Sequence, residues 1–338
     1  MSRRTSTLVA AVLLVVVVVG VGTLVRVPFV AMGPGPTYDT LGTLDGTPVV
    51  AVTGTQTYPT AGHLNMTTVA VNDGVTALTA LGYWLQSDRR LVPRDSVYPP
   101  GQTTEEVDRQ NTEQFAASET SAEAAALAEL GLPTRVTVAE VVPGSAADGV
   151  LRAGDTIVSV GDTPVSTPEQ LAGSLTGTSA GQTIPVTYER DGVRTTVPVV
   201  LGQGDGRGML GVRGGVEPVT GDITISLGDV GGPSAGLMFA LAVVDKLTPG
   251  ELNGGRFVAG TGTIDAAGTV GPIGGIPFKM IAAKDAGATV FLVPDANCAE
   301  AAANAPAGLQ LVRVSTLAGA VDALEGLDRG ATVPSCTP

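Results

Sequence analysis

The chain reads Gly228-Asp229-Val230-Gly231-Gly232-Pro233-Ser234-Ala235-Gly236 between a strand-like run at 222–227 and a helix-like run that ends at Leu247. This placement predicts a glycine-rich turn that joins a strand to a helix. Pro233 suits the first turn of a helix, because the amide that proline lacks has no partner there. Ser234 would then begin the helix, where free amides could stabilise an oxyanion and glycines let a substrate backbone approach closely.

Ser234 would need a base to act as a nucleophile, because a serine hydroxyl does not readily lose its proton. The only histidine, His63, lies in a segment typical of a strand edge and is interpreted as structural. Lys279 is the candidate base, since its neighbours are almost all apolar and burial would lower its pKa from about 10.4 to about 7–8. Lys284 is a rival, but it falls on a different helical face and is expected to be exposed.

Four blocks between residues 216 and 326 resemble, in order, the proteolytic domain of Lon proteases. They are 232–236 (Gly-Pro-Ser-Ala-Gly), 259–264 (Ala-Gly-Thr-Gly-Thr-Ile), 270–275 (Val-Gly-Pro-Ile-Gly-Gly, leading to Lys279) and 286–294. Alternating strand and helix patterns over the same region agree with an α/β or α+β fold.

The resemblance implies roles for five residues of the predicted site. Ser234 would be the nucleophile, Lys279 the base, and Thr261 a supporting hydrogen-bond partner, with Gly232 and Pro233 shaping the loop. It also implies a ring of subunits, for example a hexamer. Because no GxxxxGK[ST] motif occurs in the sequence, the expected activity is independent of ATP and directed at unfolded or flexible protein segments.

Two departures from the ATP-dependent Lon enzymes affect the charges around this site. Pro277 and Phe278 precede Lys279 where those enzymes carry Lys-Glu, and Gly231 replaces an acidic residue, with Asp229 two positions earlier. Because Lys279 itself is retained, the mechanism is expected to survive with different accessory charges.

A compact β-rich unit is predicted before this region, at about 135–201. Its segments 142–147 (Val-Pro-Gly-Ser-Ala-Ala) and 151–160 (Leu-Arg-Ala-Gly-Asp-Thr-Ile-Val-Ser-Val) resemble bacterial, protease-associated PDZ domains, which bind extended peptides along a sheet edge. The resemblance implies a carboxylate-binding loop at Leu130, Gly131 and Leu132. Pro133 follows at once and removes one amide donor from that loop.

The N-terminus predicts one membrane span. Leu8–Val25 is an apolar run of 18 residues, about 27 Å as a helix and close to the thickness of the hydrocarbon layer. A cleavable signal peptide would have a shorter core and a small-residue exit site. Arg3 and Arg4 place the N-terminus in the cytoplasm, so the later domains would lie outside. The following segment, Gly33–Pro36, predicts a turn-rich exit from the membrane.

Composition excludes several other classes of protein. The net charge of −13 argues against a general affinity for nucleic acid. The two cysteines, Cys298 and Cys336, have no metal-ligand spacing, so no metal site or cofactor is predicted. Outside the cytoplasm they could form a disulfide that fixes the C-terminal tail.

The expected fold is a Lon-type proteolytic domain with a preceding or inserted PDZ domain and one transmembrane helix. Two alternatives remain: the glycine-rich turn could bind phosphate, or the chain could be an inactive, membrane-bound PDZ adaptor. The predicted divisions are a cytoplasmic start (1–7), an anchor (8–25), an extracytoplasmic segment that could belong to the protease domain (26–128), the PDZ unit (129–202), a glycine-rich linker (203–215), the protease domain (216–327) and a tail (328–338).

Overall fold

The computed structural model describes residues 3–86, 88–204, 206–228 and 230–336. The α-helices in this part of the chain are α1 Arg3–Leu24, α2 Ala77–Trp84, α3 Thr104–Glu129, α4 Pro168–Ser174, α5 Gly236–Leu247, α6 Ile276–Asp285, α7 Cys298–Ala303 and α8 Leu317–Asp328. Short 3-10 helices cover Arg94–Ser96 and Asp295–Asn297.

The strands, in chain order, are β1 Phe29–Asp39, β2 Thr43–Leu44, β3 Thr47–Pro48, β4 Val50–Thr53, β5 His63–Asn72, β6 Arg90–Pro93, β7 Thr134–Val141, β8 Thr156–Val160, β9 Thr163–Pro164, β10 Thr183–Arg190, β11 Val193–Val200, β12 Gly202–Gln203, β13 Gly208–Met209, β14 Val212–Pro218, β15 Asp222–Ile225, β16 Phe257–Gly260, β17 Thr263–Ile264, β18 Val270–Gly271, β19 Val290–Pro294 and β20 Gln310–Val314.

The larger sheet combines strands from both ends of the chain in the order β20-β19-β16-β5-β1-β6. Strands β5, β16, β19 and β20 run parallel, whereas β1 pairs antiparallel with both β5 and β6. Side chains of β16 alternate between two cores, with Val258 facing the cluster formed by α5 and α8 and Ala259 facing the cluster formed by α6 and α7. The residues before and after the second sheet therefore build one three-layer unit.

The second sheet is antiparallel, in the order β11-β10-β8-β7-β14, with β9 paired to β8. It has its own core, which includes Val136, Ile157, Leu171 and Val186. Along the chain, the helix α3 leads into the first strand of this sheet, and β14 is its last strand before the chain returns to the larger unit. Because both elements also touch the larger unit, they form its two connections to the second sheet.

The N-terminal helix α1 contains a window, Thr7–Leu24, that is long and apolar enough to cross a membrane. No residue of that window is buried in the protein. By length and composition alone, the helix agrees with the predicted span.

The segment Gly33–Pro36 lies within a strand, so the expected turn-rich exit is wrong. β1 continues through it against β5, with a shift in register between Pro34 and Thr37. Such an irregularity accommodates prolines that could not pair regularly. Gly35 allows the strands to approach, because a Cβ there would overlap the Thr68 hydroxyl.

Among the described residues of the expected linker at 203–215, β12 pairs with β13, and β14 begins at Val212. The two glycines of β14 serve close packing rather than flexibility. Added Cβ atoms at Gly214 and Gly215 would lie 3.3 Å from Val136 Cγ1 and 3.1 Å from Thr137 Oγ1. Composition alone does not separate these two uses of glycine, since both follow from the missing Cβ.

A disulfide joins Cys298, at the start of α7, to Cys336. The tail also pairs with β20, through a bridge between Val312 and Ser335. The C-terminal segment is thereby held against the larger sheet.

Candidate active site

The loop that carries Ser234 leads from β15 to α5. The helix begins at Gly236 rather than at Ser234, because the Ser234 carbonyl accepts from the amide of Gly262 (3.0 Å) instead of from the next helical turn. Two contacts from α3 fix the loop. Ser118 Oγ donates to the Pro233 carbonyl at 3.1 Å, and the Gly232 amide donates to the Asn111 carbonyl at 2.9 Å.

Lys279 lies in the first turn of α6, which Gly275 precedes in a left-handed conformation with φ of 74°. Glycine is required there, since a Cβ would also lie 2.7 Å from Val69 Cγ2. The Lys279 side chain points into the protein and is 3% exposed. The geometry of this cap thus directs the amine toward Ser234.

The structure brings the three predicted polar residues together. Lys279 Nζ lies 2.7 Å from Ser234 Oγ and 2.9 Å from Thr261 Oγ1. The Thr261 hydroxyl donates to the Ser234 carbonyl at 3.0 Å, so its oxygen is left to accept from the amine. A neutral amine that donates to Thr261 keeps its lone pair for the proton of the Ser234 hydroxyl.

Burial lowers the pKa of Lys279 to about 7. The cause is desolvation, which penalises the charged ammonium more than the neutral amine. A substantial fraction of the amine is therefore neutral at neutral pH, as a general base requires.

Backbone amides beside Ser234 could hold an oxyanion. Among the described residues, no acceptor reaches the amides of Ser234 and Ala235. Both precede α5, whose N-terminus adds positive potential. A carbonyl oxygen attacked by Ser234 would develop its negative charge near these donors.

Ser234 and Lys279 line a cleft of about 600 Å³. Strands β1 and β5 and the turn before α6 line it with apolar side chains, from Met32, Tyr38, Met66, Val69 and Ile273. This lining suits an extended peptide with an apolar side chain next to the reacting bond. A second groove continues from Val69 and Val230 along α3, past Glu119, whose pKa burial raises to about 7.

The two rejected candidate bases lie elsewhere in the structure. Lys284 Nζ donates to the Gly308 carbonyl at 3.1 Å, near the far end of α6. His63 pairs with Asp39 at 2.7 Å and packs on Phe257. Asp229 lies outside the described residues. In the part of the chain that the structure describes, no cluster of three or more His, Cys, Asp or Glu residues could hold a metal ion.

Sequence reasoning missed the contributions of α3 and β1. Asn111 and Ser118 hold the nucleophile loop from more than 100 positions away in sequence, and Met32 and Tyr38 form a wall of the cleft. Only the short apolar run Phe29–Met32 could have indicated β1, and the glycine–proline pairs that follow interrupt it.

The predicted carboxylate-binding residues cap α3. Leu130 ends the helix, Gly131 has φ of 62°, and the Leu132 amide donates to the Leu127 carbonyl at 2.9 Å. The edge of β7 that follows them is already paired with β14, from Val212 opposite Val141 to Pro218 opposite Thr134.

Two protein families match separate parts of the chain. The PDZ domain family matches residues 101–201. The family of the Lon protease (S16) C-terminal proteolytic domain matches residues 226–323, which include the nucleophile loop and α6.

Curated relatives are similar over the second part. The Lon protease of Roseiflexus castenholzii is 44% identical over 66 residues, which are 20% of this chain and 8% of that protein. Lon protease 2 of Herpetosiphon aurantiacus is 46% identical over 66 residues, with the same shares. The chain thus spans less than a tenth of the length of these relatives.

Solved structures are similar to about a fifth to a quarter of the chain. The PDZ domain of an SdrC-like protein from Listeria monocytogenes is 21% identical, with a TM-score of 0.22, and covers 23% of this chain and 85% of that one. A Geobacillus thermodenitrificans protein is 33% identical, with a TM-score of 0.19, and the match covers 21% of this chain and 80% of that one. From the two family matches, the chain joins a PDZ domain to a Lon-like protease domain.

Proposed function

We propose that this protein is an endopeptidase that uses Ser234 as nucleophile and Lys279 as general base. The observation that carries the proposal is the 2.7 Å separation of Lys279 Nζ and Ser234 Oγ, with the lysine buried among apolar groups. A lysine in this position has the two properties that the chemistry needs, which are contact with the hydroxyl and a lowered pKa.

The reaction would proceed in two stages. The neutral Lys279 amine takes the Ser234 proton while Oγ attacks the peptide carbonyl, and the amides of Ser234 and Ala235 stabilise the oxyanion. The Lys279 ammonium then protonates the leaving amine as the C–N bond breaks, which leaves an ester on Ser234. Water attacks that ester with Lys279 again as base, releasing the acid and restoring the dyad. Thr261 would orient the amine throughout.

We further propose that the enzyme is anchored by α1 with its other domains outside the cytoplasm. The apolar, unburied window Thr7–Leu24 supports an anchor, and Arg3 and Arg4 support the direction of insertion. The Cys298–Cys336 disulfide supports an oxidising compartment. No P-loop occurs in the sequence, so cleavage without nucleotide is part of the proposal.

An inactive PDZ adaptor fits the site less well. A buried lysine with a lowered pKa opposes folding, and an adaptor would gain nothing from keeping it. The PDZ domain is proposed to recruit substrates or regulate the protease domain. Assembly into a ring remains a prediction, which the mass of the detergent-solubilised particle would test.

The direct test is cleavage of fluorescein-labelled casein by the full chain in detergent, without nucleotide. We expect Ser234→Ala and Lys279→Ala to abolish cleavage while the circular dichroism spectrum stays unchanged. Lys284→Ala is the matched control on the same helix and should retain activity. Cleavage that persists in Ser234→Ala would refute the assignment of the nucleophile.

A further inference from the structure

The helix α2 presents an apolar face that the rest of the protein does not cover. Leu78, Leu81, Trp84 and Leu85 are 41%, 53%, 73% and 74% exposed, and their spacing places them along one side of α2. We name these four residues the α2 face. Four large apolar side chains on two helical turns are unusual on a surface that meets only water.

The α2 face is continuous with the end of α1. The Ala77 amide donates to the Val25 carbonyl at 2.9 Å, the Val27 amide donates to the Val75 carbonyl at 2.9 Å, and a Cβ on Gly22 would lie 3.5 Å from Leu78 Cβ. The start of α2 is therefore fixed to the last turn of the proposed membrane span. A bilayer that surrounds α1 would reach the α2 face.

We propose that α2 lies in the lipid–water interface and thereby holds the catalytic cleft close to the membrane. The tryptophan and leucines would enter the headgroup region, where amphipathic helices and tryptophan are favoured. Arg89 follows α2 in the chain and stacks on Tyr83 of that helix, so it is a nearby cation for lipid phosphates.

This placement determines which substrates the cleft can reach. Met32 of the cleft is only eight residues after Leu24, the end of α1, and eight extended residues span at most about 28 Å. The cleft thus takes unfolded segments that emerge from, or flank, parts of proteins in the same membrane. This second half of the inference rests on the proposed protease activity, whereas the placement of α2 does not.

The placement can be measured without activity, because Trp84 is the only tryptophan in the sequence. The full chain is reconstituted in phosphatidylcholine–phosphatidylglycerol vesicles that carry brominated acyl chains. We expect at least twofold quenching of Trp84 emission by the bromines and weak quenching by aqueous acrylamide. Emission that acrylamide quenches as strongly as in the unfolded chain would overturn the placement.

The matched control moves the tryptophan to the PDZ domain, in a Trp84→Phe/Val193→Trp variant. Val193 is 64% exposed on the hairpin of β10 and β11. Its tryptophan should be quenched by acrylamide and not by the bromines. Equal bromine quenching at both positions would mean general adsorption to lipid and would overturn a specific interfacial role for α2.

The substrate half is tested with two membrane-anchored substrates in the same vesicles. Each carries one flexible segment, which lies directly at the membrane in the first substrate and beyond a rigid spacer in the second. The spacer is about 60 Å long, roughly twice the greatest distance that the eight residues from Leu24 to Met32 can span. We expect at least tenfold faster cleavage of the first substrate. Equal rates would overturn the substrate class, and no cleavage of either substrate or of casein would refute the protease function while leaving the α2 placement to the fluorescence result.

The edge strand of the PDZ sheet, β14, lies in the groove between β7 and α4. This strand runs antiparallel along β7 and faces α4, because a Cβ on Gly214 would lie 3.3 Å from Val136 and 3.8 Å from Leu171 of that helix. Peptides bind PDZ domains by this kind of strand addition. Val216 is 3% exposed and packs on Ala124 of α3.

β14 is also connected to the catalytic loop. After Pro218 the chain forms β15, pairs with β4, and reaches Ser234 within 16 residues. We infer that an external peptide with an apolar C-terminus enters this groove by displacing β14, and that the displacement disorders the Ser234 loop and inhibits cleavage. The inference rests on the proposed protease function, because the dyad is assembled while β14 occupies the groove.

A disulfide that locks β14 in place tests this coupling. Glu140 and Arg213 face each other across β7 and β14 and form an exposed ion pair of 2.9 Å, so Glu140→Cys/Arg213→Cys can join the two strands. Casein cleavage by the wild type should fall at least fivefold with a saturating apolar C-terminal peptide. The oxidised variant should keep full activity and resist the peptide. Equal inhibition of both proteins would overturn the coupling. A wild type that binds the peptide and keeps its full cleavage rate would overturn it as well.

Wild type treated with the same oxidant and reductant controls for the Cys298–Cys336 disulfide. If the wild type does not bind the peptide at all, as measured by fluorescence polarisation, the groove is closed to external ligands and the regulatory inference is wrong. Loss of casein cleavage in both proteins before any peptide is added would instead refute the proposed function.

Discussion

Replacing Lys279 with methionine is expected to abolish cleavage but to stabilise the fold at neutral pH. Methionine has a similar length and no charge, so it can occupy the buried channel of the lysine side chain. In the wild type, the folded site releases the Lys279 proton near pH 7, whereas the unfolded chain keeps it to about pH 10.4. Folding at pH 7 therefore requires the loss of a proton that the unfolded chain retains.

The size of the effect follows from this difference in pKa. From 10.5 to about 7, it corresponds to about 5 kcal/mol of unfolding free energy at about 1.36 kcal/mol per pH unit. Methionine loses the contacts of Nζ with Ser234 and Thr261, worth about 1 kcal/mol each. The variant should thus be more stable by about 3 kcal/mol at pH 7, as an order of magnitude.

The pH dependence makes the test specific. Between about pH 7 and 10.4 the unfolded chain binds one more proton at Lys279 than the folded chain, so wild-type stability gains about 1.4 kcal/mol per pH unit relative to the variant. The advantage of Lys279→Met should therefore shrink as pH rises and reverse near pH 9, by the same arithmetic. Below about pH 7 both states bind the proton, and the difference should level off.

Denaturant unfolding of both proteins in detergent, from pH 6 to 10, measures this difference. Lys284→Met is the control on the same helix, because Lys284 Nζ lies at the surface on the Gly308 carbonyl and not in the buried site. A difference between wild type and Lys279→Met that stays constant across the range would refute the lowered pKa. If Lys279→Met were less stable than the wild type at every pH from 6 to 10, the free energy of folding lost by burying the amine would be refuted.

Three kinetic predictions concern the same site. Activity should increase about tenfold per pH unit below the pKa of Lys279, about 7, and level off above it, because only the neutral amine accepts the proton; Glu119→Gln should keep this rise, and a flat profile from pH 6 to 9 would contradict the base. Thr261→Val should lower kcat by about 10- to 100-fold, and Thr261→Ser should restore most of it; equal losses in both would argue against an orienting hydroxyl. Ser118→Ala removes one hydrogen bond to the nucleophile loop and should lower kcat by up to about tenfold with little change in KM; a change in KM alone would place the effect in substrate binding.

The sequence permitted prediction of the reacting groups because each has a local signature. A glycine-rich turn before an apolar helix indicated Ser234, and a lysine among apolar neighbours indicated Lys279. Thr261 has no such local signature, and only the resemblance to the Lon proteolytic domain implied that it supports them. The composition of α3 also favours a helix, since a long alanine- and glutamate-rich segment without proline has few alternatives.

The contacts that support the site left no such signature. Ser118 is one of several small residues in α3, and only the fold brings it to the Pro233 carbonyl. The glycines of β14 were expected to be flexible, although they allow a strand to pass between β7 and α4. Sequence pattern reports local conformation and burial, whereas these features depend on a partner far away in the chain.

The smallest active unit should therefore be larger than the matched proteolytic region, residues 226–323. Strand β16 of that region pairs with β5. A fragment that lacks residues 63–72 would therefore leave one edge of β16 unpaired in what is now the middle of the sheet. It would also uncover the core around Met238, which packs against Leu64 and Met66. Since α3 and β14 join the same unit on either side of the PDZ domain, this domain is connected to the candidate active site through both of its ends. A peptide in the groove could then act on Ser234 through the backbone itself, without a moving interface between separate domains.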